Sequence, residues 1–220
     1  MTQDGSRAER ARALLETCGV AAGGMAAEEA VRRADEIVAA AAEYAGTGAD
    51  AAVFDEHMAA EFELRDIDRT MATMVEDPYL NHVAVMTGGR DAAEVRRFYE
   101  DHFIPRWPAD TAVVPVSRTV GADRIADELV MSFTHDVEMD FMLPGVAPSG
   151  RPVDLPVAAV VGVEDGRVTH EHIYWDQATI LVQVGALDPA DLPVTGAEQA
   201  RKMLDRSVPP NTLIPEWAPR

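Results

Sequence analysis

Between Gly166 and Gly185 the chain reads GRVTHEHIYWDQATILVQVG, in which His170, His172, Tyr174 and Asp176 occupy every second position. A period of two is the period of a strand, so the four side chains share one face. Imidazole, phenol and carboxylate are the groups that move protons in general acid–base catalysis. After Asp176 the alternation ends and an apolar run, ATILVQVG, reads as a helix.

The partner strand decides which way that face looks. VDLPVAAVVGVEDGRVTHEHIYWD reads as a hairpin around Asp165-Gly166, a strong two-residue turn signal. Direct pairing then sets Val161 opposite His170, Ala159 opposite His172, Val157 opposite Tyr174 and Leu155 opposite Asp176. The face bearing Leu155, Val157 and Val161 is assigned to the inside, which turns the four polar residues toward the concave side. Glu171 falls on the outer face with Ala158, Val160, Ile173 and Trp175, and the last four make an apolar patch that suits a homodimer. A buried polar group without a hydrogen bond costs about 1–3 kcal/mol, so an inward row of this kind implies a cavity or a closed network.

Several roles stay open on these residues. Asp176 directly precedes a helix and is a good N-cap, a role compatible with lining a pocket. His172 and Tyr174 either orient a reacting group or form hydrogen-bonded wall, and His170 sits nearer the turn, in solvent. His170-x-His172 with Glu171 and Asp176 could bind zinc, but Glu171 falls on the opposite face and no second cluster at ligand spacing is evident. No metal and no cofactor are expected. The segment TGGRD lacks the lysine and spacing of a phosphate loop, and no Gly-x-Ser-x-Gly elbow occurs.

Earlier elements must position this strand. AVVPVSRTVGADRIADELVMSFTHDVEMDF reads as two strands joined at GADR, with Val120 opposite Ile125 and Arg118 opposite Asp127. One face then carries Ala112, Val114, Val116, Arg118, Leu129, Met131, Phe133 and His135, so Arg118 and His135 are polar groups on a buried face. Arg118 is either an ordinary partner of Asp127 or a holder of a carboxylate or enolate oxygen. Upstream, Val53, His57, Ala60, Leu64, Ile67, Met71 and Met74 recur at spacings of three and four, the face of one long amphipathic helix ended by Pro78. His57 in that stripe is a satisfied core residue or a pocket residue. YLNHVAVM reads as a short strand; a second helix begins at an Asp91 cap and ends before Pro105. Tyr79 and His102 could flank the cavity mouth.

The 220 residues carry a net charge of −19, which disfavours nucleic acid and anionic membranes as partners. The hydrophobic fraction of 47% is enough for a core. A lone cysteine, Cys18, suits a reducing cytoplasm and reads as a bystander; no apolar leader or membrane-length run is visible. Residues 1–48 are rich in Ala, Glu and Arg and read as a helical extension, with a weak stripe at Ile37, Val38, Ala41 and Tyr44. GAEQARKMLDR reads as a late helix, and VPPNTLIPEWAPR as a proline-rich tail whose Trp217 packs back onto the domain.

Long helix, short strand, helix and antiparallel meander, in that order, resemble the nuclear transport factor 2-like fold. FTHDVEMDFMLPGVAPSGRPVDLP, VEDGRVTHEHIYWD and ILVQVG are similar to the SnoaL-like polyketide cyclases, over roughly residues 50–190. The resemblance implies an α+β domain: a cone-shaped, curved antiparallel sheet covered by the long helix. The bounds are 1–48 for the extension, 49–190 for the cavity domain and 191–220 for the C-terminal helix and tail. It also implies a cofactor-independent enzyme that works by acid–base chemistry next to a carbonyl: an aldol cyclisation, an isomerisation or a related rearrangement. Asp176 matches the family's inward aspartate and His135 the histidine of its Thr-His pair. Asp176, His172 and His135 are then the catalytic set, and Tyr174, Arg118, His57, Met131, Phe133 and Tyr79 bind a hydrophobic small molecule. The alternative is a ligand-binding or assembly module of the same fold, without catalysis.

Overall fold

The computed structural model describes residues 15, 22–33, 49–215 and 217. The expectations for Cys18 and for the stripe at Ile37, Val38, Ala41 and Tyr44 lie outside the described residues. Within the N-terminal extension, residues 27–33 are helical, and Leu15, Ala22 and Ala30 form a small buried cluster.

The helix expected to run through Met74 is broken. An α-helix, α1 (Ala49–Met58), loosens into a π-helical turn, Ala59–Leu64. Arg65 then enters the left-handed region with φ 53°, and α2 (Ile67–Ala72) restarts from an Asp66 cap whose side chain accepts from the Arg69 amide. The break leaves Leu64, one of the expected core positions, 52% exposed. Pro78 terminates no helix. It lies inside β1 (Met74–His82), where the pairing register is irregular between Met74 and Tyr79, and a proline at such a point removes no ladder donor.

β2 (Thr87–Gly89) pairs with β1, and α3 (Ala92–Phe98) follows from the expected Asp91 cap. α3 continues as a π turn, Tyr99–Phe103, and a 3-10 turn, Ile104–Arg106, so it passes Pro105 where an end was expected. The meander is then β3 (Ala112–Val120), β4 (Arg124–Thr134), β5 (Pro152–Glu164) and β6 (Arg167–Trp175). Two helices close the described chain, α4 (Gln177–Val184) and α5 (Glu198–Leu204). The curved sheet has the order β2-β1-β6-β5-β4-β3 and does not close into a barrel. All neighbours are antiparallel except β1 and β6, which run parallel.

Two bulges overturn the expected faces. The Asp165-Gly166 turn forms with positive φ at both residues (49° and 69°), the two-residue hairpin geometry its sequence demands. Glu164 pairs with Arg167 and Val163 with Val168, but the next pair is Gly162 with His170, leaving Thr169 as an extra residue. One extra residue exchanges the two faces of everything beyond it. Glu171, Ile173 and Trp175 therefore oppose Val161, Ala159 and Val157 on the inside, and His170, His172, Tyr174 and Asp176 are turned outward. β3 does the same between Pro115 and Ser117. Leu129, Met131 and Phe133 of β4 face the core as expected, whereas Val114 packs outside with Val130 and Ala200 of α5. Trp217 is 58% exposed rather than packed. No helix among the described residues is long and apolar enough to cross a membrane.

Candidate active site

The polar residues that the fold gathers inside are not the alternating four. His57 of α1, Glu61 of the π turn and Glu171 of β6 are each at most 3% exposed, and Tyr99 is fully buried beside them. His57 and Glu61 are four residues apart at the point where the helix widens, which sets both side chains on the core face. Glu171 is brought to them by the Thr169 bulge and by the pairing of β6 with β1, in which it lies beside Leu80.

The hydrogen bonds fix the protons. The hydroxyl of Thr73 donates its single proton to the Thr70 carbonyl at 2.6 Å, so it accepts from His57 Nδ1–H, also at 2.6 Å. His57 Nε2 then faces Glu171 Oε1 at 2.9 Å and Glu61 Oε1 at 3.1 Å. Lone pairs cannot converge this way without a proton among them, which an imidazolium N–H supplies. Burial opposes that charge, but Glu171 and Glu61 outweigh it and push the His57 pKa up to about 10. Tyr99 donates to Glu171 Oε1 at 3.2 Å; burial and the two carboxylates keep its phenol protonated well beyond the usual range. For Glu171, burial is outweighed by His57 and Tyr99, and its pKa falls; for Glu61, burial prevails over His57 and raises it. The resulting arrangement is a His57–Glu171 ion pair with Glu61 as the carboxyl that readily holds a proton. The same three donor atoms lie within 4.8 Å of one another, close enough to chelate a divalent cation.

Glu61, Glu171 and Tyr99 line an internal cavity of about 50 Å3, whose other walls are apolar or aromatic, among them Phe62, Trp107, Met131, Phe141 and Trp175. His82 also lines it, ringed by Phe98, Phe103, Phe141 and Trp175 at 5.3–5.9 Å between centroids. Thr87 donates to the Phe141 carbonyl at 2.6 Å and so accepts from His82 Nδ1–H at 3.1 Å. Burial holds the His82 pKa down to about 4, so the ring is neutral and its Nε2 carries the lone pair. A volume of this size holds a few atoms. Met58, Phe62 and Leu129 separate it from an open groove of about 460 Å3 that runs along Asp55, Val113, Pro115 and Arg118.

Of the residues singled out in the sequence, Met131 lines the cavity and His57 stands behind its two glutamates. Phe133 is core, 5.9 Å from the Trp107 ring and outside the lining. Arg118 makes a two-pronged pair with Asp127 (2.8 and 2.7 Å), bonds Asp55 at 2.6 Å and covers the Phe54 ring. Its guanidinium is thereby engaged in protein contacts, at the open groove and not in the cavity. His135 is buried under the Ser149–Arg151 loop, with Nδ1 against Ser149, away from the cavity. His172 and Tyr79 meet edge to face at 5.7 Å on the outer side of the sheet, and Tyr174 there is 41% exposed. His102 pairs with Asp140 at 2.7 Å in a separate surface groove. Asp176 caps α4, accepting from the Ala178 and Thr179 amides at 2.9 and 3.3 Å. Partial burial raises its pKa less than bonds from Gln199, Thr179 and Ala178 lower it, so it is held as a carboxylate, unsuited to carry a proton. Its outward position follows from the bulge.

A family model for the SnoaL-like domain matches residues 54–171. A solved structure from Acidithiobacillus ferrooxidans, described as a candidate polyketide cyclase, shares the fold at 13% identity. Its TM-score is 0.52, and the match covers 64% of this chain and 98% of that one. A SnoaL-like protein from Jannaschia sp. CCS1 is 20% identical, with a TM-score of 0.47, over 70% of this chain and 94% of its own. No curated protein matches. The matched segment runs from Phe54, one turn before His57 in α1, to Glu171 itself, and by it the chain belongs to the SnoaL-like domain family.

Proposed function

We propose that this chain is an acid–base enzyme that moves a proton at a carbon next to a carbonyl in a hydrophobic small molecule. The observation that carries the reading is a carboxyl with a raised pKa, Glu61, facing an apolar cavity and backed by an imidazolium it shares with a second carboxylate. A carboxyl poised this way takes a proton from carbon and returns it elsewhere on the same molecule, which is the core of an isomerisation or an aldol closure. His57 stores the compensating charge, Glu171 holds His57, and Tyr99 holds Glu171. The reaction needs no cofactor, because every proton has a residue to receive it. A substrate larger than a few atoms enters from the open groove by displacing Met58 and Phe62.

The test is solvent exchange. In D2O, a panel of ketones from acetone to 1-tetralone is followed by proton NMR for loss of the α-hydrogens. The expected result is exchange well above buffer with at least one ketone, slowed about 10²-fold or more in Glu61→Gln. Equal rates for the two proteins, or no exchange with any member, exclude the reading. The small interior volume favours one competitor, a ligand-binding or assembly module without catalysis, and that module gives the second of these results.

A further inference from the structure

Trp107 is 5% exposed and lines the same cavity as Glu61 and Glu171, yet its indole Nε1–H has no acceptor among the described residues. Among the described residues, the other buried side-chain nitrogen and oxygen atoms without a hydrogen-bond partner belong to His135, Asp140 and Thr195, none of which lines that cavity. An unsatisfied buried donor costs about 1–3 kcal/mol, and an indole N–H can only donate. The ring cannot turn to find a partner. It is held by Phe62, Phe103, Phe133 and Phe141, with centroids 4.9–5.9 Å away, and none of these offers a lone pair. Its loop is anchored as well: the next residue's carbonyl, on Pro108, accepts from Thr111 Oγ1 at 2.8 Å and from Arg65 Nη2 at 3.3 Å.

Resting on the acid–base reading above, we infer that Trp107 Nε1–H is the hydrogen-bond donor that receives the carbonyl oxygen of the ligand. The carboxyls supply the means to move a proton but are acceptors when ionised; the cavity wall needs a neutral donor for the oxygen that gains charge as the enolate forms. The nitrogen is closed off at rest and is reached when the entering ligand displaces Phe62, 5.4 Å from its ring; a donor held there strengthens its bond as that charge develops. The ligand class follows: an apolar molecule with one acceptor oxygen, oriented with the carbonyl at Trp107 and the acidic C–H toward Glu61.

The experiment uses the whole chain with 15N-indole tryptophan, titrated with cyclopentanone and, separately, with cyclopentane. The Trp107 signal is assigned by its absence in Trp107→Phe. The expected result is a downfield move of its N–H proton with the ketone and not with the hydrocarbon. In Trp107→Phe, ketone binding weakens about tenfold more than hydrocarbon binding does. Glu61→Gln keeps the indole response. A Trp107 signal unmoved by ketone, or moved equally by both ligands, overturns the assignment. Glu61-dependent exchange that persists alongside such a result leaves the acid–base reading standing and removes Trp107 alone.

Discussion

Glu171 and His57 meet at 2.9 Å in the interior, one from β6 and the other from α1, and the pair ties the sheet to the helix that covers it. Breaking a buried pair from one side strands the other charge. Glu171→Ala is expected to cost about 3–5 kcal/mol of stability, read from urea denaturation, whereas Glu171→Gln, which keeps the shape and the Tyr99 bond, costs less. A wild-type midpoint in Glu171→Gln, which strands the His57 charge as Glu171→Ala does, contradicts the ion pair.

Stability depends on pH through two histidines of opposite sense. His57 has a folded pKa of about 10 against an ordinary 6.5. Its contribution is complete below pH 6.5 and is lost as the pH climbs through about 10. His82, lowered from 6.5 to about 4, contributes fully above pH 6.5 and loses that contribution as the pH falls toward about 4. Denaturation midpoints across this range are expected to peak near neutrality. His57→Gln should flatten the alkaline limb and His82→Phe the acid limb; limbs that survive both substitutions refute the assignment.

Asp176 accepts from the amides that open α4 and is turned away from the cavity. Asp176→Ala removes the cap of α4 and is expected to cost about 1 kcal/mol while leaving the solvent-exchange activity at its wild-type rate. A loss of exchange as large as that of Glu61→Gln, in a folded protein, would return Asp176 to the active site.

Gly162 makes room for the bulge. A Cβ there would collide with the His170 ring and the Thr169 hydroxyl, the residues that carry the extra position. Gly162→Ala is expected to destabilise by about 1–3 kcal/mol and to lower activity, because the inward direction of Glu171 depends on that register. An unchanged midpoint and rate would show that the bulge tolerates a side chain.

Much of this molecule is legible in its sequence. The Asp91 cap, the Asp165-Gly166 turn, the opposition of Arg118 to Asp127 and the core face of β4 follow from local chemistry. Local chemistry does not reveal that Thr169 is left over in its pairing, and that one residue turns Glu171 inward and His170, His172, Tyr174 and Asp176 outward. The available signal was Gly162, a glycine set among Val160, Val161 and Val163 in the strand, which is a mark of a bulge. Glu61 was hidden differently. It lies one position beyond Ala60 of the apolar stripe, and only the widening of the helix into a π turn turns it inward. Tyr99, next to Phe98, gave no polar signal at all.

The parallel pairing of β1 with β6 joins residues that lie about ninety positions apart in the chain, as Leu80 and Glu171 do. During synthesis, His57, Glu61 and Tyr99 all leave the ribosome well before the strand that completes their network. Until β6 arrives, Glu61 has no reason to sit dry, one side of β1 has no neighbour, and the helix has no charge to fold against. Glu171 reaches that network only where β6 lies against β1, so the central pairing of the sheet and the completion of the network are one and the same contact.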